Sequence, residues 1–162
     1  VGAFGAAISN IEKYGLVDTI KKVVFNGKPL LGICLGLQML FEESDELGSY
    51  KGLGIIKGNV PRFSQEELRN ISNNKLKVPH MGWNSIKIEK KSPLFNNIPD
   101  NSMVYFVHSY YVNPTEDVIS TKTNHGITFC SSIWKNNIFA TQFHPEKSGK
   151  IGLAMLKNFA EV

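Results

Sequence analysis

The chain has 162 residues, of which 42% are apolar and 14 are glycine, and it carries a formal net charge of +4 from 18 Lys and Arg against 14 Asp and Glu. This apolar content is typical of a globular domain and excludes an intrinsically disordered chain. The basic residues are scattered, which argues against nucleic-acid binding, and no apolar run approaches the ~18 residues of a membrane span.

The first third of the chain alternates helix and strand signals. Apolar residues recur at helical spacing over 6–26 with Gly15 as a break, which predicts two short helices or one broken helix. The continuous apolar run at 30–34 is typical of a strand buried on both faces of a parallel sheet. A further helix follows directly and is predicted to end in the charged segment 42–46.

The rest of the chain shows short strand signals separated by turn residues. The predicted strands are 54–56, 75–78, 83–89, 103–107, 118–123, 128–134 and 138–143. A closing helix at 149–159 turns Met155, Leu156 and Phe159 inward. This order predicts one α/β domain over 1–162, with an open mixed β-sheet flanked by helices in three layers.

The motif Gly32-Ile33-Cys34-Leu35-Gly36 places a cysteine where a strand turns into a helix. This is the arrangement of a nucleophile elbow, in which the turn is strained and flanking glycines let strand and helix pass closely. The helix N-terminus favours a thiolate at Cys34, and the Leu35 N–H is predicted to donate to an oxyanion. The alternative is that Cys34 is a small buried hydrophobe, the usual fate of a free cysteine.

The second cysteine, Cys130, alternates like a strand residue, lacks flanking glycines and is predicted to be structural. Two cysteines make no disulfide framework, which favours a reducing cytoplasm.

The segment Gln142-Phe143-His144-Pro145-Glu146 offers a base and a group to orient it. Alternate residues of an extended segment project to one side, so His144 and Glu146 are predicted to touch and to complete a Cys/His/Glu constellation. Taken alone, His-Pro-Glu is more often an ordinary turn. The other histidines, which lie among aromatic residues or beside a turn, are poorer candidates: His80, His108 and His125. No zinc-ligand spacing is present, so neither a metal nor a cofactor is predicted.

Four motifs extend this constellation over most of the chain. They are Gly-Ile-Cys-Leu-Gly-Leu-Gln at 32–38, Val-Pro-His-Met-Gly-Trp-Asn at 78–84, Tyr-Phe-Val-His-Ser-Tyr-Tyr at 105–111 and Gln-Phe-His-Pro-Glu-Lys-Ser at 142–148. With them the chain resembles the class I, triad-type glutamine amidotransferases, and within that class the glutaminase subunits of imidazole glycerol phosphate synthases.

The resemblance implies a flavodoxin-like fold and hydrolysis of L-glutamine through a γ-glutamyl thioester on Cys34. His144, oriented by Glu146, would serve as acid and base. The ammonia would pass to a (β/α)8 synthase subunit, bound as a heterodimer, which makes imidazole glycerol phosphate and AICAR in histidine biosynthesis. The resemblance also implies a glutamine pocket formed by Gly2, Gln38, Ser109 and Tyr110.

By the same resemblance, Val1 and Leu35 would supply the two oxyanion donors, and the synthase interface would include Trp83, Asn84 and Tyr105. The family's oxyanion loop reads Pro-Gly-Val-Gly, and the chain begins at its second half. An N-terminal βα segment is therefore expected to be missing, and the fragment alone is expected to be unstable or inactive.

Two other functions stay open at this point. A paralogous glutaminase with the same triad would supply ammonia for amidation of a nucleotide-linked or surface-glycan sugar precursor, and the partner subunit decides between the two. A non-catalytic binding module on the same fold would require the triad to be idle.

Overall fold

The computed structural model describes residues 2–73 and 76–162. Its helices are α1 (Phe4–Lys13), α2 (Leu16–Phe25), α3 (Leu35–Met39), α4 (Gln65–Ser72) and α5 (Gly149–Ala160). Its strands are β1 (Leu30–Ile33), β2 (Glu43–Ser44), β3 (Tyr50–Lys51), β4 (Gly58–Val60), β5 (His80–Ser85), β6 (Lys87–Ile88), β7 (Met103–His108), β8 (Asn113–Pro114), β9 (Ile119–His125), β10 (Ile127–Lys135) and β11 (Ile138–Thr141). Single 3₁₀ turns lie at Pro93–Phe95 and Pro145–Lys147.

The main sheet has five strands in the order β1-β11-β10-β9-β6. The pairing of β1 with β11 is parallel, whereas β11 with β10, β10 with β9 and β9 with β6 are antiparallel. The predicted mixed sheet is therefore confirmed. Two smaller sheets adjoin it, one of four strands in the order β3-β2-β4-β8 and one formed by β5 and β7.

Helices cover the main sheet from both sides, which confirms the layered α/β prediction. On β11, Ala140 packs in a cluster with Phe4 and Ile8 of α1, whereas its neighbour Phe139 packs in a second cluster with Met155 of α5. Consecutive strand residues point to opposite faces, so the two clusters are the two interfaces of a three-layer arrangement. Among the described residues, none of the helices has both the length and the apolar character needed to cross a membrane.

The opening helices follow the predicted broken pattern. Gly15 separates α1 from α2 with a left-handed φ of 63°, a conformation that a glycine adopts without steric cost. The strand at 30–34 and the closing helix are also present, but β1 is half-buried at Leu30, Leu31 and Ile33 instead of fully enclosed. The reason is that, within 2–73 and 76–162, β1 pairs with β11 alone.

Several strand and helix boundaries differ from prediction. The strand expected at 54–56 is wrong, since the strand of that region is β4 at 58–60. Part of the expected charged helix end forms β2. The expected strand at 83–89 divides into β5, which pairs with β7, and β6, which joins the main sheet. The strand expected at 75–78 begins outside the described residues, and 76–78 form no strand.

Candidate active site

Cys34 occupies the sharp turn between β1 and α3. Its φ of 52° and ψ of −103° lie in a region that a residue with a side chain rarely adopts, at a cost of about 1–3 kcal/mol. Its N–H donates to the Thr141 carbonyl at 2.7 Å, which ties the turn to the end of β11. The strained elbow predicted from the sequence is therefore present.

The two glycines that flank the elbow have different roles. A Cβ on Gly32 would lie 2.9 Å from the backbone oxygen of Gly36 and 3.1 Å from the Cβ of Ala140, so the close passage of strand and helix requires glycine there. A Cβ on Gly36 would meet no atom within 4 Å. The prediction that both flanking residues must lack a Cβ is thus wrong for Gly36.

The Cys34 thiol is buried, with 5% of the residue exposed. Burial raises its pKa, while hydrogen bonds from the Leu35 N–H and from the Gln142 amide lower the pKa and the negative charge of Glu146 raises it. Gln142 Nε2 donates to Sγ at 3.6 Å. Because burial dominates, the resting thiol keeps its proton and needs a base to remove it.

His144 has the geometry of that base. Its Nδ1 lies 2.6 Å from Glu146 Oε1, so the ring donates from Nδ1 and carries its lone pair on Nε2. Nε2 is buried and has no hydrogen-bond partner among the described residues. The backbone fixes the ring's position, since the His144 N–H donates to the Tyr105 carbonyl at 2.9 Å and Ser148 Oγ donates to the His144 carbonyl at 2.6 Å.

The sheet brings the thiol and the imidazole to one edge. Ile33 of β1 and Thr141 of β11 are partners in the parallel register. Cys34 follows β1 directly, and His144 lies three residues beyond the end of β11. The carboxyl ends of parallel strands are where α/β sheets place their sites. The predicted pairing of His144 with Glu146 is seen directly, and both lie at the edge that carries Cys34.

A cavity of about 220 Å³ opens at Cys34. Its lining residues are Gly2, Cys34, Leu35, Gln38, Glu46, Pro79, Val107, His108, Ser109 and Tyr110. The four residues predicted to bind glutamine all line this cavity together with Leu35, although they come from separate parts of the chain. The volume is below the roughly 300–1,000 Å³ of pockets for drug-sized ligands and suits a small metabolite. The predicted oxyanion residue Val1 lies outside the described residues.

Gln38 is turned into the protein, with 5% of the residue exposed. Its Nε2 donates to the Tyr110 carbonyl and to Gln142 Oε1, each at 3.1 Å. Gln38 therefore does not face solvent from its helix.

Two polar residues near Cys34 were not assigned from the sequence. Gln142 is fully buried and contacts both Cys34 and Gln38, and its only signal was a polar residue within an apolar strand pattern beside His144. Glu46 lines the cavity and accepts the Phe4 N–H at 2.6 Å through Oε2. No local pattern distinguished it from its charged neighbours.

The three predicted interface residues separate onto two faces of the β5–β7 sheet. Trp83 is 54% exposed and lies opposite Tyr105, with ring centroids 6.2 Å apart in an edge-to-face arrangement. Asn84 alternates to the other face, where its Nδ2 donates to the Asn124 carbonyl at 2.8 Å. Asn84 is therefore half-buried and hydrogen-bonded on the opposite face, and of the three residues Trp83 and Tyr105 share the outer face.

The described residues include no group of three or more His, Cys, Asp or Glu side chains arranged to hold a metal ion. The three histidines rated as poorer candidates are buried, and His108 lines the cavity beside Cys34.

Comparison with known proteins agrees with this geometry. The family model described as glutamine amidotransferase class-I matches residues 9–162. The chain belongs to this family. The amidotransferase is 57% identical to the imidazole glycerol phosphate synthase subunit HisH of Methanocaldococcus jannaschii, over 100% of this chain and 77% of that protein. It is 50% identical to the HisH subunit of Geobacter sulfurreducens, again over 100% of this chain and 77% of the relative.

Solved amidotransferase structures share the fold at low sequence identity. One crystal structure of a glutamine amidotransferase superimposes with a TM-score of 0.68 at 16% identity and covers 98% of this chain and 76% of that one. A glutamine amidotransferase from Thermotoga maritima gives a TM-score of 0.63 at 18% identity, covering 99% of this chain and 59% of its own. The predicted fold class is thereby confirmed.

Proposed function

We propose that this amidotransferase is the glutaminase subunit of an imidazole glycerol phosphate synthase and acts in histidine biosynthesis. The observation that carries the proposal is the single cavity in which Cys34 meets Gln38, Ser109 and Tyr110, with the His144–Glu146 pair at the same sheet edge. The HisH subunits at 57% and 50% identity support the choice among amidotransferases.

The cavity offers complementary groups for both ends of L-glutamine. Glu46 is the one carboxylate among the lining residues, and we assign it to the α-ammonium group of the substrate. The side-chain amide then points to the opposite end, where Cys34 and the Leu35 N–H lie. This orientation places the amide carbon at the thiol and its oxygen at the backbone donor.

In the first half of the reaction, His144 Nε2 takes the Cys34 proton and Sγ bonds to the amide carbon of glutamine. The carbonyl oxygen becomes an oxyanion, which accepts a hydrogen bond from the Leu35 N–H. The carbonyl re-forms as the C–N bond breaks, and the departing nitrogen takes the proton from His144 to leave as ammonia. A γ-glutamyl thioester on Cys34 remains.

In the second half, His144 Nε2 removes a proton from water, whose oxygen attacks the thioester carbon. The C–S bond breaks as the second tetrahedral intermediate collapses, glutamate is released, and the proton on His144 returns to the Cys34 sulfur. Glu146 holds the ring in the tautomer that both halves require and stabilises its cationic form.

The outer face of the β5–β7 sheet is the proposed docking surface for the (β/α)8 synthase subunit. Met81, Trp83 and Met103 are 62%, 54% and 49% exposed there. A contiguous patch of exposed large apolar side chains is typical of a protein interface. Val107, which pairs with Met81 in this sheet, also lines the Cys34 cavity, so a partner docked here covers the route by which ammonia leaves.

The proposal is tested by labelling the full-length protein, bound to its synthase subunit, with a chloroketone analogue of glutamine. We expect mass spectrometry to place the adduct on Cys34, glutamine to protect against labelling, and the Cys130→Ser variant to label at the wild-type rate. An adduct on Cys130 with Cys34 unmodified would contradict the mechanism.

The partner is tested separately by measuring glutamine hydrolysis with and without the synthase subunit. We expect the synthase subunit to raise the turnover and glutamine nitrogen to enter imidazole glycerol phosphate. If turnover is already high alone and the synthase subunit changes nothing, the coupled assignment is wrong and an amidotransferase for another acceptor takes its place.

A further inference from the structure

Three histidines that take no part in the proposed chemistry form a buried cluster beside the cavity. His80 and His108 are each 4% exposed, and His80 stacks on His125 with ring centroids 4.1 Å apart. Aromatic rings surround the cluster, with Phe106 and Phe129 both in contact with His80 and His108. Polar rings buried so completely must have their nitrogens satisfied or lose stability.

The hydrogen bonds fix the tautomers of this pair. His108 Nδ1 lies 2.7 Å from the Tyr110 carbonyl, and since a carbonyl only accepts, Nδ1 carries the hydrogen. The other nitrogen of His108 is then an acceptor, so His80 Nδ1, 2.9 Å away, donates to it. His80 Nε2 is left to accept from Asn84 Nδ2 at 3.2 Å. Every ring nitrogen of the pair has one defined role.

Both rings stay neutral, as this arrangement requires. Burial, together with the charges of nearby histidines, lowers the pKa of His80 to about 3. For His108, burial outweighs the hydrogen bond to the Tyr110 carbonyl, which raises the pKa, and lowers the pKa to about 4. Their hydrogen-bond partners are a carbonyl, an amide and each other, so no anion favours protonation.

The same Tyr110 carbonyl connects the histidines to the thiol. It accepts from Gln38 Nε2 at 3.1 Å, which also donates to Gln142 Oε1 at 3.1 Å. Gln142 therefore turns its amide nitrogen to Cys34 Sγ, 3.6 Å away. The Tyr110 carbonyl sets the donor–acceptor direction of this series of hydrogen bonds. Because the carbonyl can only accept, Gln38 turns its amide nitrogen to it. The same nitrogen donates to the Gln142 amide oxygen, so the Gln142 amide nitrogen faces the sulfur.

We infer that His108 and, behind it, His80 are positioning residues for glutamine hydrolysis, which orient the Tyr110 carbonyl and through it the Gln38 and Gln142 amides toward the Cys34 sulfur. This inference rests on the proposed function. An amide nitrogen donating to sulfur stabilises the thiolate that attacks glutamine, whereas a Gln142 amide turned by 180° presents an oxygen that repels it.

The test uses substitutions that separate the two hydrogen bonds of His108. His108→Phe removes both and keeps a ring among its aromatic neighbours. His108→Asn keeps an N–H near the position of Nδ1 but loses the acceptor for His80, and His108→Gln keeps a polar group near Nε2 but loses the donor to Tyr110. The matched control is His125→Phe, since His125 is 9% exposed and stacks on His80 but hydrogen-bonds the Lys77 carbonyl, outside the hydrogen bonds that reach Tyr110.

With the full-length protein and its synthase subunit, we expect His108→Phe to lower kcat/KM for glutamine about tenfold, the size of one lost hydrogen bond in the transition state. The acidic limb of the kcat/KM profile moves to higher pH, because the thiol becomes harder to ionise. His108→Asn restores kcat/KM to within about threefold of wild type, His108→Gln does not, and His80→Phe falls between. His125→Phe leaves the profile in place.

A wild-type profile in His108→Phe, or equal activity in His108→Asn and His108→Gln, overturns the inference. If His108→Phe does not fold, the comparison of His108→Asn with His108→Gln tests the positioning role on its own. If wild type itself neither hydrolyses glutamine nor labels at Cys34, the proposed function fails first. An active wild type with an unmoved profile in the variants rejects the positioning role alone.

Discussion

The two cysteines are equally buried, each 5% exposed, yet they differ in backbone geometry and in access to a cavity. Cys34 sits on a strained turn at φ 52°, lines a cavity and receives a hydrogen bond from Gln142. Cys130 lies within β10, and its Sγ donates to the Ser132 carbonyl at 3.3 Å. Burial alone therefore does not identify a structural thiol, and backbone geometry and access to the cavity separate the two.

The direction of the hydrogen bonds has an electrostatic consequence. Donors aimed at a sulfur stabilise its thiolate, as the Leu35 N–H and the Gln142 amide do at Cys34. At Cys130 the sulfur is itself the donor to a carbonyl, and burial raises the thiol pKa to about 12. At Cys130 the Ser132 backbone and the Lys122 charge also lower the thiol pKa, but burial outweighs them, and among the two thiols Cys34 is the one that lines the cavity.

Replacing each cysteine in turn is expected to show the contrast between the two thiols with the largest effect on kcat. We expect Cys34→Ala to lower kcat for glutamine hydrolysis by at least about 10³-fold, because no nucleophile remains to form the thioester. Cys130→Ala should keep kcat within about twofold and cost roughly 1 kcal/mol in the free energy of unfolding from the small cavity it leaves. Steady-state kinetics and urea denaturation of the two variants give both numbers. Similar losses of kcat in the two would contradict the contrast.

Removing the charge behind the base is expected to have a smaller effect. In Glu146→Gln the carboxylate 2.6 Å from His144 Nδ1 becomes a neutral amide, which no longer stabilises the cationic ring or fixes its tautomer. We expect kcat to fall about 10²-fold, within the range of general acid–base catalysis. The matched control is Glu116→Gln, which removes a carboxylate paired with Lys135 at 2.7 Å and leaves kcat unchanged. Equal kcat values for the two variants would reject the role of Glu146.

The features of the Cys34 region that the sequence predicts are those encoded by neighbouring residues. The elbow is encoded by the five consecutive residues 32–36. The contact of His144 with Glu146 follows from their spacing along an extended segment. Both depend on local backbone geometry, which a short motif determines. The family resemblance added Gln38 and Tyr110, whose place in the cavity arises only when distant segments meet.

What the sequence misses depends on contacts between distant segments. Gln142 and Gln38 are 104 positions apart and contact each other only through the fold. The resemblance groups Asn84 with Trp83 at the interface, which stays a prediction; the structure adds that these consecutive residues of β5 face opposite ways, which the sequence alone does not say. The two-sided burial expected of β1 likewise depends on which strands pair beside it, and that is a property of the whole sheet.

The pH dependence of alkylation sharpens the comparison between the thiols. Burial raises the pKa of Cys34 above the ordinary thiol value of 9.0 and that of Cys130 to about 12. Because the thiolate is the reactive form, the rate of Cys34 labelling by iodoacetamide without glutamine should rise about tenfold per pH unit from pH 7 to 9. Cys130 should stay unlabelled up to pH 10. A Cys34 rate already constant below pH 7 would instead show a thiolate paired with charged His144 at rest.

The smallest expected effect is on the free energy of unfolding and concerns Gly32 and Gly36, the glycines on either side of Cys34, which Cys130 lacks. In Gly32→Ala the new Cβ meets the backbone of Gly36 at 2.9 Å, which cannot move aside without shifting α3, so we expect a loss of about 1–3 kcal/mol in the free energy of unfolding. In Gly36→Ala the methyl group enters open space within a helix, where alanine is favoured by roughly 0.5–1 kcal/mol. Urea denaturation of both variants measures the difference. Equal losses in the free energy of unfolding would mean that the motif needs glycine on both sides of Cys34. A loss in Gly32→Ala with a gain in Gly36→Ala would show that the elbow depends on the single close contact between β1 and α3.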